Sequence, residues 1–139
     1  MSKDEEVVNN LVSEVRVLES TYNDLSARQN LLERMLMECQ SSLATIKGLS
    51  SSTEKDALIP VGGGILLRAA PPSTDKVLVN IGANVVVEKT QEAATKFMES
   101  RMHDLEEDIG AVASQRGQIA GRVDSDRRAL NSILSRQGQ

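Results

Sequence analysis

"ALIPVGGGILLRAAPPSTDKVLVNIGANVVVEK", residues 57–89, decides how this chain folds. The stretch is rich in Val, Ile, Leu and Gly and holds no Trp, Tyr or Phe. "ALIPV" (57–61) and "GILLRAA" (64–70) predict two short strands around a Gly62–Gly63 turn. "PPSTD" (71–75) carries turn chemistry and predicts a loop. "KVLVNIG" (76–82) and "NVVVEK" (84–89) predict two more strands, with Gly82 at or near their turn. The result is a pair of β-hairpins. Pro60 restricts its strand to an edge, a bulge or a strand beginning.

These strands do not alternate clearly between apolar and polar residues. Val77, Leu78 and Val79 run together, as do Val85, Val86 and Val87. A strand that is apolar on both sides needs cover on both faces. Two isolated hairpins cannot supply it, and the flanking segments spend their apolar stripe on each other, so both hairpins are expected to be uncovered; bare strand edges pair with other chains. The insert is therefore expected to be a subunit-assembly module. Its contact residues are Leu58, Ile59 and Val61 in the first strand and Ile65, Leu66 and Leu67 in the second. Val77, Leu78, Val79 and Ile81 follow in the third, and Val85, Val86 and Val87 in the fourth.

Working outward, a polar loop "LSSSTEKD" (49–56) leads back to a long heptad segment. Val8, Val15, Tyr22, Gln29, Leu36 and Leu43 form one column. Leu11, Leu18, Leu25, Leu32, Cys39 and Ile46 form the other. Spacings alternate three and four without a break, the pattern of a coiled-coil seam. At 1.5 Å per residue such a helix is about 65–70 Å long, too long for the interior of a small domain. Ser2 and Glu5 make a capping box at its start, and Gly48 suits its stop.

The segment after the insert also reads in sevens. Met102, Ile109, Arg116, Val123 and Leu130 form one column, and Met98, Leu105, Val112, Ile119, Asp126 and Ile133 the other. Thr90 caps its start. Gln29, Arg116 and Asp126 interrupt the apolar seam, and polar seam residues cost stability while fixing register. Gly110, Gly117 and Gly121 fall on outward positions and soften the second helix. Two segments that share a chain meet at high effective concentration, so they are expected to pair with each other, antiparallel.

The expected fold is α+β, mostly α: an antiparallel two-helix coiled-coil hairpin with two β-hairpins inserted, the hairpins serving subunit assembly. The divisions are a first helix at 1–48, a linker with two β-hairpins at 49–89, and a second helix at 90–139, all one structural unit.

A formal net charge of −4 argues against nucleic acid and against an anionic membrane surface as partners. Cys39 is the one cysteine, which excludes an intrachain disulfide and a zinc knuckle. "MSKDEEVVNN" lacks the apolar core of a secretory signal, so a cytoplasmic protein is expected. "GGG" at 62–64 lacks the Lys-Ser/Thr that follows in a phosphate-binding loop and reads as a turn. His103 has no nucleophile or carboxylate constellation tied to it. Asp104, Glu106, Glu107 and Asp108 spread around a helix, as on a solvated face. No catalytic residue, cofactor or metal site is expected, and the chain is not read as an enzyme.

Toward the chain ends, Val7, Val12 and Leu134 flank the seam beside Val8, Leu11, Leu130 and Ile133. They widen the apolar stripe where the helices end, a surface suited to weak contacts multiplied over several arms.

"LIPVGGGILLRA" (58–69), "DKVLVNIGANVVVEKT" (75–90) and "EAATKFMESR" (92–101) resemble the α-type subunit of the prefoldin family, archaeal-like. One departure is the lack of any aromatic residue between 57 and 90. The resemblance implies a heterohexamer of two α-type and four β-type subunits on a β-barrel platform. It implies an ATP-independent cytoplasmic chaperone that holds unfolded proteins at the coiled-coil tips and delivers them to a group II chaperonin. The competing reading is a coiled-coil tether that oligomerises through its hairpins and binds no client.

Overall fold

The computed structural model describes residues 2–138. In chain order the elements are α1 (Lys3–Ser51), β1 (Ala57–Gly62), β2 (Ile65–Ala69), β3 (Lys76–Gly82), β4 (Val85–Thr90) and α2 (Gln91–Gln137). Two compact units form. One runs up to Met35 and resumes at Leu105; the other is Leu36–Asp104.

In the first unit α1 and α2 pair. Val8 lies beside Gln137, Glu19 meets Arg127 and Gln29 meets Arg116. Numbers rise on one helix as they fall on the other, so the pairing is antiparallel. Leu32, Leu105, Val112 and Ile133 are buried in the seam. Val8, Leu11, Val15, Leu18, Leu25, Ile109, Ile119, Val123 and Leu130 are half-buried there. Every one occupies a heptad column, so apolar area removed from water drives the pairing. The start of α1 carries the expected capping box. The Glu5 N–H donates to Ser2 Oγ at 3.2 Å, and the Ser2 N–H donates to Glu5 Oε2 at 3.3 Å. Two of the helix's unpaired N-terminal groups are thereby satisfied.

In the second unit Cys39, Leu43 and Ala94 are buried. α1 continues to Ser51, three residues past Gly48, which corrects the expected stop. Gly48 lies inside the helix with no positive φ, so it does not form the left-handed cap that ends many helices. Thr90 caps α2: the Ala93 N–H donates to Thr90 Oγ1 at 3.2 Å. The Gln91 N–H donates to the Asp75 carbonyl at 3.1 Å, which pins the start of α2 beside the entry to β3.

The hairpins are two separate two-stranded antiparallel sheets, β1–β2 and β3–β4. Each register shifts just before its turn, between Pro60 and Gly62 and between Asn80 and Gly82. These bulges displace the first turn by one residue from the expected Gly62–Gly63. Gly62 is the last residue of β1, at φ 104°, and Gly63–Gly64 make the turn. Gly82 has the equivalent role in the second hairpin at φ 116°, and Ala83–Asn84 turn with φ of 50° and 61°. Positive φ at both central residues matches the right-handed twist of the strands. The Gly82 N–H, freed from the ladder by the bulge, donates to Asn80 Oδ1 at 2.9 Å.

Candidate functional site

Ten of the thirteen apolar residues expected to make subunit contacts are exposed; Val77, Val79 and Val87 are half-buried. Leu78 is 74% exposed. On the first hairpin Leu58, Ile59, Val61, Ile65, Leu66 and Leu67 all face solvent. Because each sheet has only two strands, all four strands keep one unpaired edge. Bare apolar faces with open backbone donors and acceptors are the two ingredients of strand-to-strand association.

The second hairpin is not wholly bare, which corrects the expectation that the helices leave both hairpins uncovered. A groove of about 560 Å³ lies between β3 and the helices, lined by Ile46, Val77, Val79, Ala94 and Met98, with Ser41, Ser42, Thr45, Leu78, Asn80 and Arg101 completing it. Val77 and Val79 are half-buried beside it while Leu78 between them is exposed, so β3 does alternate in burial. Ala94 is 1% exposed and lies outside both heptad columns. The contact exists because the seam does not use every apolar group near the helix ends. Lys89 sits 5.5 Å from the centre of the Phe97 ring, a further tie between β4 and α2.

The end residues divide. Ile133 is buried in the seam, and Val8, Leu11, Val12 and Leu130 are half-buried. Val7 is 38% exposed and Leu134 52% exposed, so these two present apolar surface outward. A shallow depression brings Glu5, Val8 and Asn9 of α1 beside Gln137 of α2, which places the start of one helix against the end of the other.

The three polar seam residues behave differently. Arg116 donates through Nη1 to Gln29 Oε1 at 2.7 Å and through Nη2 to the Tyr22 hydroxyl at 3.0 Å. Its guanidinium also lies 4.7 Å from the Tyr22 ring centre. Gln29 Nε2 donates to Glu33 Oε1 at 3.0 Å, which turns the amide oxygen into the seam. Asp126 is 5% exposed; its Oδ1 lies 3.4 Å from Arg122 Nε on the same helix, and its Oδ2 has no partner. Sequence reasoning flagged these positions one by one, but it did not pair them, and it counted Tyr22 as apolar. It also missed Val17, Leu31 and Met37, which fall off the heptad columns and are exposed on α1. Asp104, Glu106, Glu107 and Asp108 are all exposed, and no metal-binding cluster occurs among the described residues. No helix among them is long and apolar enough to cross a membrane.

Paired helices joined through two β-hairpins with exposed apolar residues define a subunit of a coiled-coil assembly. The family described as Prefoldin subunit matches residues 18–134. The chain is 30% identical over 135 residues to a prefoldin subunit alpha of Nitrosopumilus maritimus (strain SCM1), spanning 97% of this chain and 93% of that one. It is 33% identical over 132 residues to a prefoldin subunit alpha of Methanocorpusculum labreanum, covering 89% and 87%. A filamentous PFD from Methanocaldococcus jannaschii, solved by cryo-EM, superposes with a TM-score of 0.69 at 24% identity, over 81% of this chain and 94% of that one. That likeness supports the fold. The chain belongs to the prefoldin family, and it is a chaperone subunit of a family that works as oligomeric complexes.

Proposed function

We propose that this subunit assembles through its β-hairpins with β-type prefoldin subunits, two copies with four partners, in the cytoplasm. The complex binds non-native proteins at the terminal ends of its helices and delivers them to a group II chaperonin without using ATP. The observation that carries assembly is the insert, with ten exposed apolar residues and four unpaired strand edges. Client contact rests on Val7 and Leu134, which stay exposed at the helix ends, with the half-buried Val8, Leu11, Val12 and Leu130 behind them. Ile133 supports that surface from within the seam. Each such contact is weak, and several arms acting on one client multiply them while leaving release fast.

The test is aggregation of a chemically unfolded client in the presence of the assembled complex, with no nucleotide added. The complex suppresses aggregation, and removing residues 1–12 and 128–139 abolishes suppression while native mass stays that of the full assembly. Equal protection by the trimmed complex removes the tip assignment. An intact assembly that never protects any client leaves a tether.

A further inference from the structure

We infer that the Arg116–Gln29–Tyr22 layer is a register lock, which holds the two helices of the first unit in one alignment. The apolar part of that seam does not choose an alignment by itself. Its columns repeat every seven residues on both helices, so a slide of one heptad returns Leu, Val and Ile to Leu, Val and Ile. The joint between α1 and β1, residues 52–56, holds no helix or strand and does not itself set the alignment.

The other polar contacts across the pair are poor locks. Glu14–Arg122 and Glu19–Arg127 are partly exposed, so water and salt replace them at little cost. Asp126 is buried, but its cation partner Arg122 stands on its own helix. Arg116 differs on each count. It lies within the seam, and both its arms reach across to α1. Its acceptor is held in orientation from behind by Glu33. A one-heptad slide puts Tyr22 in the place of Gln29 and Val15 in that of Tyr22, or Leu36 in the place of Gln29 and Gln29 in that of Tyr22. Either way the guanidinium keeps its burial and loses one of its two acceptors, which is the penalty that selects one alignment. Arg116 is thus a positioning residue: the alignment it selects decides which residues of α2 lie beside Val8 and Leu11 at the helix ends. That last consequence rests on the client-surface reading above; the lock itself does not.

The test is a distance measurement made without client. Spin labels are placed on Cys introduced at the exposed Asn10 and Asn131, with Cys39→Ala so that only those two react, in complex diluted with unlabelled chain. The otherwise wild-type chain gives one narrow distance distribution. The Q29L/R116L variant keeps its helix content and melts higher, because Leu packs in a seam. It nevertheless splits into two populations whose label positions differ by a slide of about 10 Å along the helices, seven residues at the helical rise. The exchanged pair Q29R/R116Q restores donor and acceptor to the same layer and returns a single distribution. A single narrow distribution in Q29L/R116L overturns the lock. A split that persists in Q29R/R116Q also overturns it, since any disturbance of the layer would then suffice. If the distances behave as stated and client protection is unchanged in Q29L/R116L, the lock stands and the tip reading falls.

Discussion

Single residues in the seam carry opposite costs. Asp126 is a buried carboxylate with one oxygen 3.4 Å from Arg122 and the other unpaired. An unsatisfied buried group of this kind costs about 1–3 kcal/mol. Asp126→Leu removes that cost and fills a heptad position, while Arg122 keeps its contact with Glu14. The expected outcome is a gain of about 1–3 kcal/mol in unfolding free energy, read from urea denaturation followed by helix circular dichroism. Arg116→Leu with Gln29 kept goes the other way in specificity, since it strands the Gln29 oxygen that faces the seam. The ion pairs Glu14–Arg122 and Glu19–Arg127 matter least to stability. Glu19→Gln is expected to shift it by less than about 1 kcal/mol, and by less still at high salt.

At the scale of elements, the two helices are unequal. α2 carries Gly110, Gly117 and Gly121, and a methyl group added at any of them meets nothing within 4 Å. Each glycine costs about 1 kcal/mol relative to alanine in a helix interior. The triple Gly→Ala variant is therefore expected to gain about 2–3 kcal/mol, and amide exchange should slow along α2 first. If exchange slows equally in α1 and α2, the softness lies elsewhere. Thr90 is the joint between β4 and α2, and Thr90→Ala is expected to cost about 1 kcal/mol through the lost bond to the Ala93 N–H. In the hairpins the bulges at Pro60–Gly62 and Asn80–Gly82 set where each turn falls. Gly82 at φ 116° tolerates no side chain without strain, so Gly82→Val should disorder the β3–β4 turn.

For the whole molecule, the exposed insert makes the isolated chain incomplete. Leu66 and Leu78 face solvent and line no seam, so charging them should leave the helices intact. The expected result of Leu66→Lys with Leu78→Lys is unchanged helix circular dichroism and a native mass falling to that of one chain. An unaltered native mass would move the assembly surface away from the hairpins. The heptad columns were legible because a seven-residue repeat leaves one face to bury, and every column residue among the described ones is buried or half-buried. The hairpins were legible because Gly-rich turns divide β-branched runs. The candidate contact residues were legible as an exposed apolar group, yet which of them are half-buried was not. Val77 and Val79 are half-buried and Leu78 is exposed, although all three are strongly apolar.

What the sequence determined alone was the local and periodic part: two heptad helices, four strands, the N-terminal caps of the helices, and an apolar insert between polar arms. Those features depend on residue type and spacing within a few turns of chain. Only the tertiary structure decided that Arg116 joins Gln29 and Tyr22, that Asp126 keeps a bare oxygen, and that Ala94 closes beneath β3. Each of these depends on which residues, distant in sequence, arrive side by side. A repeat that fits itself equally well at several offsets does not contain that information; the geometry of the packed helices does.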